Sequence, residues 1–573
     1  MDVDAFVAAS DAYPIPTSPD GAPIHFSYGT AGFRTIGDVL ASTVFRCGAV
    51  AAIRSSVTGR ATGMVVTASH NPERDNGVKL VDCDGGMLPV AWERHAEAIA
   101  NAPTHDALRA AIELAQTPAE AHLPQHNHPP PHAPTPPPPH VFLARDTRPT
   151  GPTLAAAAKA GAEAIGAEVT DCGLMTTPQL HYVVYASYRN LPCDESDYFA
   201  RLARGFGNMV QGVAGGTHDA STIVVDCANG VGAAKLAPLR TALGTECVLT
   251  LDPRNYKYGR PGSLNNEVGA DFVQKEKTCP VHGGFDGVGA DARCVSVDGD
   301  ADRLVYFRKI NTARKGESDE SNDDSQVELF DGDKIAALMA TRVADLLKRC
   351  VPDAFDPPLR VGVVQTAYAN GASTAYVRDT LGLEVACTAT GVKFLHPEAE
   401  KFDVGVYFEA NGHGTAVFSD QTLSRLDDAI ARASSDEGDG EESDQCAALK
   451  EMKAMTEAIN PAVGDALSGI LVVEAILLAK GWGLDEWGEM YADLPSKQVK
   501  VMVKDRAVIT TTNAERIAVT PNGEFIFVCV RAILLTDACI WCIQGCKRRS
   551  TRLLPSMGRT RGLSRGRVGR RTS

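Results

Sequence analysis

Short apolar runs that end in polar or glycine-containing turns recur along this chain. GMVVT occupies 63–67, HVFLARD 140–146, STIVVDCANG 221–230 and RVGVVQT 360–366. Runs this short and rich in β-branched residues suit strands covered on both faces. A helical pattern over 152–166 follows HVFLARD, and another follows STIVVDCANG. The alternation predicts α/β layering, with chemistry carried at the C-terminal ends of the strands. At 573 residues the chain exceeds one core, so three or four domains are expected.

Charge and composition narrow the function. The net charge is −15, yet the 27 residues from Lys547 hold ten Lys/Arg and no acid. Without them, 46 basic residues face 71 acidic ones. A body this acidic argues against a nucleic-acid partner, and an anionic substrate needs a local basic site. No run of 18 apolar residues suggests a membrane span, and the N-terminus does not read as a signal peptide, so a cytoplasmic location is expected. The 15 cysteines form no repeating framework and read as free thiols of a reducing compartment. Three stretches read as solvated insertions: the Pro/His-rich 103–140, the acidic 313–328 and the acidic 433–444.

Five motifs carry candidate chemistry. TASHNP, Thr67 to Pro72, puts Ser69 on a strand-to-loop turn as a candidate nucleophile; an ordinary polar turn is the plainer reading. No GxSxG elbow surrounds it, which leaves an α/β-hydrolase unsupported. VDGDADRL, Val297 to Leu304, spaces Asp298, Asp300 and Asp302 by two, so an extended segment would put all three carboxylates on one side. Such charges repel unless a cation sits among them, and oxygen-only ligands select a hard ion such as Mg²⁺. An EF-hand fails, because its sixth position would be Arg303 and its twelfth Lys309. FEANGHG, Phe408 to Gly414, alternates Glu409, Asn411 and His413 on a glycine-containing loop able to bond sugar hydroxyls. YGTAGFR, Tyr28 to Arg34, offers Arg34 as a phosphate fork. In DNGVKL, Asp75 to Leu80, Lys79 is either a solvated charge or a proton shuttle with a lowered pKa.

In this order the five motifs resemble the α-D-phosphohexomutase superfamily, and TASHNPE with FEANGHG resembles its phosphoacetylglucosamine mutase branch. ARDTRPTGP (144–152), TTPQLHY (176–182), VVDCANGVG (224–232), TGVKFLH (390–396) and DLPSKQVKV (493–501) extend the likeness over roughly 20–520. The resemblance implies a multidomain α/β fold: three α/β domains around a central cleft, and a C-terminal domain that is truncated or replaced. The expected boundaries are 1–190 for the phosphoserine loop, 191–308 for the metal loop, 309–494 for the sugar loop and 495–573 for the remnant of the fourth domain. It further implies a mutase that interconverts N-acetylglucosamine 6-phosphate and 1-phosphate for UDP-N-acetylglucosamine biosynthesis. Ser69 would carry the phosphoryl group and, with Asp298, Asp300 and Asp302, hold one Mg²⁺. Lys79 or His413 would move the proton. Arg34 and Arg303 would add positive charge. Glu409, Asn411, Thr390, Gly391 and His70 would bind substrate, and N-acetylglucosamine 1,6-bisphosphate would serve as primer and intermediate. The partner is then a sugar phosphate, with no nucleic acid or membrane, and the enzyme is a monomer or dimer.

The family pattern holds through TTTNAERIAVTPNG (510–523) and then stops. No RPSGTE-like phosphate loop follows, and the stretch from about 524 shows neither helical nor strand periodicity. An altered gene end is expected, and with it impaired catalysis or a purely binding role. A native tail using Cys539, Cys542 and Cys546 as metal ligands would lack a fourth ligand in a clear frame. A phosphoglucomutase or phosphomannomutase is the nearest enzyme alternative.

Overall fold

The apolar runs become the inner strands of three mixed sheets. The computed structural model describes residues 1–117, 138–211, 221–245, 247–310, 326–436, 443–495, 510–519 and 525–527. The first sheet takes β1 (Phe33–Ile36), β2 (Thr62–Val66), β3 (Asp75–Val81), β4 (His140–Arg145) and β5 (Glu168–Leu174) in the order β1-β3-β2-β4-β5. Every residue of β2 is buried, as its unbroken apolar run requires of a strand flanked on both sides. The second sheet takes β6 (Ser221–Asp226), β7 (Leu249–Arg254), β8 (Arg293–Val297), β9 (Leu304–Lys309) and β10 (Val327–Phe330) in the order β10-β9-β8-β6-β7. The third takes β11 (Val361–Thr366), β12 (Glu384–Thr388), β13 (Val404–Phe408) and β14 (Gly414–Phe418) in the order β12-β11-β13-β14.

One device repeats in all three. A strand parallel to its inner neighbour turns back on itself and pairs antiparallel with the next strand in sequence. β2 lies parallel to β4 and antiparallel to β3. β8 lies parallel to β6 and antiparallel to β9, and β13 lies parallel to β11 and antiparallel to β14. The three connecting loops, 67–74, 298–303 and 409–413, carry the TASHNP, VDGDADRL and FEANGHG motifs.

Helices close the sheets and fix those loops. The helix Thr177–Tyr188 opens with a full capping box between Thr176 and Gln179, with Pro178 in its first turn. The helix Gly332–Lys348 is capped by Asp331, whose side chain accepts from the backbone of Asp333 and Lys334. The helices Glu195–Val210, Gly332–Lys348 and Ala466–Lys480 share one apolar core with the second and third sheets. The helix Ala466–Lys480 is apolar on nearly every side and is buried along most of its length.

Residues 1–493 form one compact unit and 494–573 a second. Within the second, β15 (Thr510–Thr512), β16 (Ile517–Val519) and β17 (Phe525–Phe527) pair antiparallel in sequence order. β17 corrects the expectation that strand pattern ends before residue 524. The cysteines proposed as ligands in the tail lie outside the described residues.

The insertions also need correction at their edges. His105–Ala115 is not extended but a helix, capped by Thr104 and burying Leu108, Ile112 and Ala115 at helical spacing. Val327 and Glu328, assigned to the acidic loop, belong to β10. A helix runs through Asp436, and Ser443 caps the next one. The centres of the three insertions lie outside the described residues. Among the described residues the cysteines are free thiols, and no helix is long and apolar enough to cross a membrane.

Candidate active site

Ser69 sits where β2 ends, at φ +51°, a left-handed conformation unusual for a residue with a side chain. Its backbone N donates to Thr67 Oγ1 (3.0 Å), and Thr67 Oγ1 donates to Asp146 Oδ2 (2.7 Å). The fully buried Arg148 fills the space behind the loop. It donates to the carbonyls of Ser69 (2.8 Å), Asn71 (2.9 Å), Pro72 (2.6 Å) and Asp75 (2.7 Å), and its Nε bonds Asp146 Oδ2 (3.0 Å). Five donors in a rigid fork can satisfy so many carbonyls only from arginine. Asn71 turns to the Asp75 carboxylate (2.9 Å) rather than to local backbone.

The loop presents Ser69 Oγ to the acidic turn. It donates to Asp298 Oδ2 (2.7 Å) and lies 3.4 Å from Asp302 Oδ1. The three aspartates are fully or almost fully buried, and ligand atoms from all three lie within 4.8 Å of one another. Their convergence has a different origin from the alternation expected of an extended segment. Residues 298–302 form a turn in which Ala301 N bonds Asp298 O (3.1 Å), with Ala301 at φ +57°. Asp302 N and Arg303 N donate to Asp298 Oδ1 (3.1 and 3.2 Å), locking the turn.

Electrostatics separate the three carboxyls. Burial and the charges of Asp302 and Asp300 push Asp298 well above the usual carboxylate range. Burial opposes ionisation of Asp300 and Asp302 as well, but Lys79 holds both below that range. Lys79 Nζ donates to Asp300 Oδ2 (2.8 Å) and Asp302 Oδ2 (2.7 Å), and Thr177 Oγ1 adds a bond to Asp300 (2.7 Å). The lowered pKa expected for Lys79 is therefore corrected. Burial alone would lower it, but the two carboxylates raise it and keep the ammonium charged.

The third loop closes the arrangement. Glu409 Oε1 accepts from Gly391 N (3.0 Å), which places the Thr390–Gly391 turn beside the sugar-loop motif. Asn411 Nδ2 reaches Glu409 Oε2 (3.3 Å), and its Oδ1 accepts from His413 N (3.0 Å). Gly412 O accepts from Leu304 N (3.2 Å), tying this loop to the end of the acidic turn. Burial holds His413 neutral. Burial and the charges of Arg303 and Arg34 push His70 down to about 2. Arg303 Nε lies 3.9 Å from Asp298 and 3.8 Å from Asp302. Arg34 is exposed on β1, within the electrostatic reach of Arg303 and the acidic turn.

Four buried polar atoms here have no hydrogen-bond partner: Asp300 Oδ1, Arg303 Nε, His413 Nε2 and His70 Nδ1. Buried polar atoms are rarely left unpaired, and four around one serine describe a site shaped for a charged ligand. An orphaned carboxylate oxygen within three converging aspartates fits a hard divalent cation, and the donors and cations opposite fit a phosphate.

Comparison with known proteins bears on this geometry. Residues 331–482 match the family model for phosphoacetylglucosamine mutase AMG1, domain III. Residues 43–106 and 133–193 match that for phosphoglucomutase/phosphomannomutase, alpha/beta/alpha domain I. A phosphoacetylglucosamine mutase of Oryza sativa is 45% identical over 521 residues, covering 88% of this chain and 86% of its own length. The chain belongs to the phosphoacetylglucosamine mutase family.

Solved structures of an Aspergillus fumigatus family member are also similar. The N-acetylphosphoglucosamine mutase in complex with GlcNAc-6P and magnesium matches at TM-score 0.75 and 39% identity, over 91% of this chain and 89% of that one. A serine-to-alanine variant of that mutase with glucose 1,6-bisphosphate matches at TM-score 0.76 and 38% identity, over 91% and 88%.

The motifs singled out in the sequence thus meet at one place in a fold of the phosphoacetylglucosamine mutase family. Arg148, Asp146, Thr177 and Asn265 also belong there and were not singled out. The signal for the first two was present, because Asp146 and Arg148 follow the apolar end of β4 just as Ser69 follows β2. Nothing in the sequence marks Asn265.

Proposed function

We propose that the chain interconverts N-acetylglucosamine 6-phosphate and N-acetylglucosamine 1-phosphate through phosphorylated Ser69 and a 1,6-bisphosphate, supplying UDP-N-acetylglucosamine synthesis. The observation that carries this reading is Ser69 Oγ, 2.7 Å from Asp298, with four unpaired buried polar atoms on its own loop, the acidic turn and the sugar loop. The ligands named for the Aspergillus relatives agree with it. In this reading 1–190 carries the nucleophile, 191–308 the acidic turn, 309–494 the sugar loop, and 495–573 the remnant of a fourth domain.

Asp298, Asp300 and Asp302, with Ser69 oxygen, would hold one Mg²⁺, which would neutralise charge on the phosphoryl oxygens. The phosphoryl group leaves Ser69 Oγ as the sugar O1 attacks: the P–Oγ bond breaks, the P–O1 bond forms, and the O1 proton, removed by a base, ends on Ser69 Oγ. His413 suits that removal, since burial keeps it neutral and its Nε2 has no hydrogen-bond partner. Lys79 is instead a fixed positive charge shared by Asp300 and Asp302. Arg303 and Arg34 add positive charge where the phosphoryl group crosses. Glu409, Asn411, Thr390, Gly391 and His70 hold the sugar phosphate. The bisphosphate then turns over, and Ser69 Oγ takes the 6-phosphoryl group in the reverse of the first step.

The acid-rich body of the chain argues against a nucleic-acid partner. In this reading the enzyme is cytoplasmic, takes a sugar phosphate as its partner and acts as a monomer or dimer. A coupled assay with N-acetylglucosamine 6-phosphate, Mg²⁺ and a trace of the 1,6-bisphosphate tests the reaction. Turnover is expected, abolished in Ser69→Ala, and at least about tenfold faster than with glucose or mannose phosphates. Turnover that survives in Ser69→Ala sinks the phosphoserine route. Equal rates on the non-acetylated sugars sink the substrate assignment.

A further inference from the structure

We propose that Asn265 is a positioning residue that holds the nucleophile loop in register with the acidic turn; the inference rests on the mutase reading above. Asn265 lies between β7 and the helix Ala270–Glu276, in the segment that builds the second sheet. Its Nδ2 donates to Ser69 O (2.8 Å) and to Asn71 O (3.1 Å). Arg148 Nη2 donates to the same two carbonyls at 2.8 and 2.9 Å. Each carbonyl therefore has one donor from its own sheet and one from the neighbouring sheet. Arg148 shapes the loop from within, whereas Asn265 reaches across and grips the backbone of the nucleophile itself.

The acidic turn is built around this contact. A Cβ on Gly299, between Asp298 and Asp300, would lie 2.8 Å from Asn265 Nδ2 and 2.7 Å from Ser69 O. Only a residue without a side chain leaves room for all three to meet. Asn265 is itself held at φ +54°, a conformation asparagine tolerates, with its N bonded to Ala228 O (3.1 Å). The Ser69–Asp298 contact joins loops from two sheets, so its length depends on how those loops are registered. A reacting group misplaced by about 1 Å costs roughly a hundredfold in rate. Another bond between the same segments, Gly262 N to Glu73 Oε2 (2.5 Å), is exposed and does not touch the serine.

Three variants of the full chain test this. Asn265→Ala removes the side chain, Asn265→Asp keeps its size but removes the donor, and Glu73→Gln weakens the exposed bond. The readouts are kcat and KM for N-acetylglucosamine 6-phosphate, the rate at which the 1,6-bisphosphate phosphorylates Ser69 (by intact mass), and Tm. For Asn265→Ala, kcat and the phosphorylation rate are expected to fall about 10- to 100-fold, with KM within about threefold and Tm within about 2 °C. Asn265→Asp is expected to be at least as impaired, since its carboxylate faces two carbonyl oxygens, and Glu73→Gln to stay within about twofold. The inference is overturned by wild-type rates in Asn265→Asp, which would leave shape alone as the cause. It is equally overturned by unchanged rates in both variants, or by losses that follow a fall in Tm. Wild-type protein with neither turnover nor Ser69 phosphorylation would instead remove the mutase reading, and the inference with it.

Discussion

Arg148 shows how one buried side chain can define a reactive loop. Its guanidinium is paired with Asp146 and bonded to four carbonyls between Ser69 and Asp75. Lysine could not replace it, because an ammonium has three donors and no planar fork. Arg148→Lys should lose about 2–4 kcal/mol of stability, because the charge opposite Asp146 is kept but an ammonium cannot make all the bonds and leaves buried carbonyls unpaired. It should also slow Ser69 phosphorylation; a urea titration and an intact-mass time course would show both, and unchanged stability would contradict the account. His181 makes a different prediction, about pH. It is buried, bonded to Gly85 O (2.7 Å) through Nδ1, and pushed down to about 4 chiefly by burial. The folded state therefore holds a neutral imidazole, whereas the unfolded chain protonates near pH 6.5. The stability this contributes is complete above the unfolded value and is lost as pH falls toward the folded one. Wild type should lose about 2 kcal/mol more than His181→Asn between pH 7 and pH 5. Equal losses in the two proteins would mean that His181 is not buried neutral.

Two of the hairpin loops, the acidic turn and the sugar loop, depend on glycines at close approach. Gly412, at φ +86°, carries the carbonyl that accepts Leu304 N, and a Cβ there would lie 1.9 Å from Leu304 O. Gly412→Ala combines a strained backbone with a steric clash, and about 2–4 kcal/mol of destabilisation is expected. Thermal melting checks the stability, and a rise in KM for the sugar phosphate would show the sugar loop displaced from the acidic turn. The loops' identities were readable from their residue types, because Ser69 and Asp298, Asp300 and Asp302 are placed by short local segments. Their shapes were less so. The acidic turn was read as extended because alternation is a local pattern, while the conformation comes from Ala301 turning left-handed under bonds to Asp298. Neither reading of Lys79, solvated charge or proton shuttle with a lowered pKa, fits, because the sequence does not reveal that its nearest charges are anions from another sheet. The helix His105–Ala115 was missed because the proline-rich composition that follows outweighed three apolar residues at helical spacing.

The same device appears three times, and only the chain's overall course brings the copies together. Each sheet ends a parallel strand in a hairpin loop, and those loops contribute Ser69, the acidic turn and Glu409. Strand pattern predicted the sheets, but not which ends would face one another; the bonds at Thr177, Asn265 and Leu304 that fix this join residues far apart in sequence. The convergence has a thermodynamic consequence. Three buried carboxylates beside Lys79 and Arg303 leave one negative charge in excess, and burial together with the charges of Asp302 and Asp300 raises the pKa of Asp298. An ion that binds only the folded arrangement stabilises it by RT ln(1 + [L]/Kd), about 2.7 kcal/mol at a hundred times Kd. Calorimetric melting in Mg²⁺ should therefore exceed that in chelator by several degrees, without substrate or turnover. Asp298→Asn should abolish the difference. In chelator alone it should melt no lower than wild type, because burial and the neighbouring carboxylates both disfavour a charge at that position. A metal-dependent shift that persists in Asp298→Asn, or an equal fall in both conditions, would place the cation elsewhere and leave the acidic turn as a structural network around Lys79.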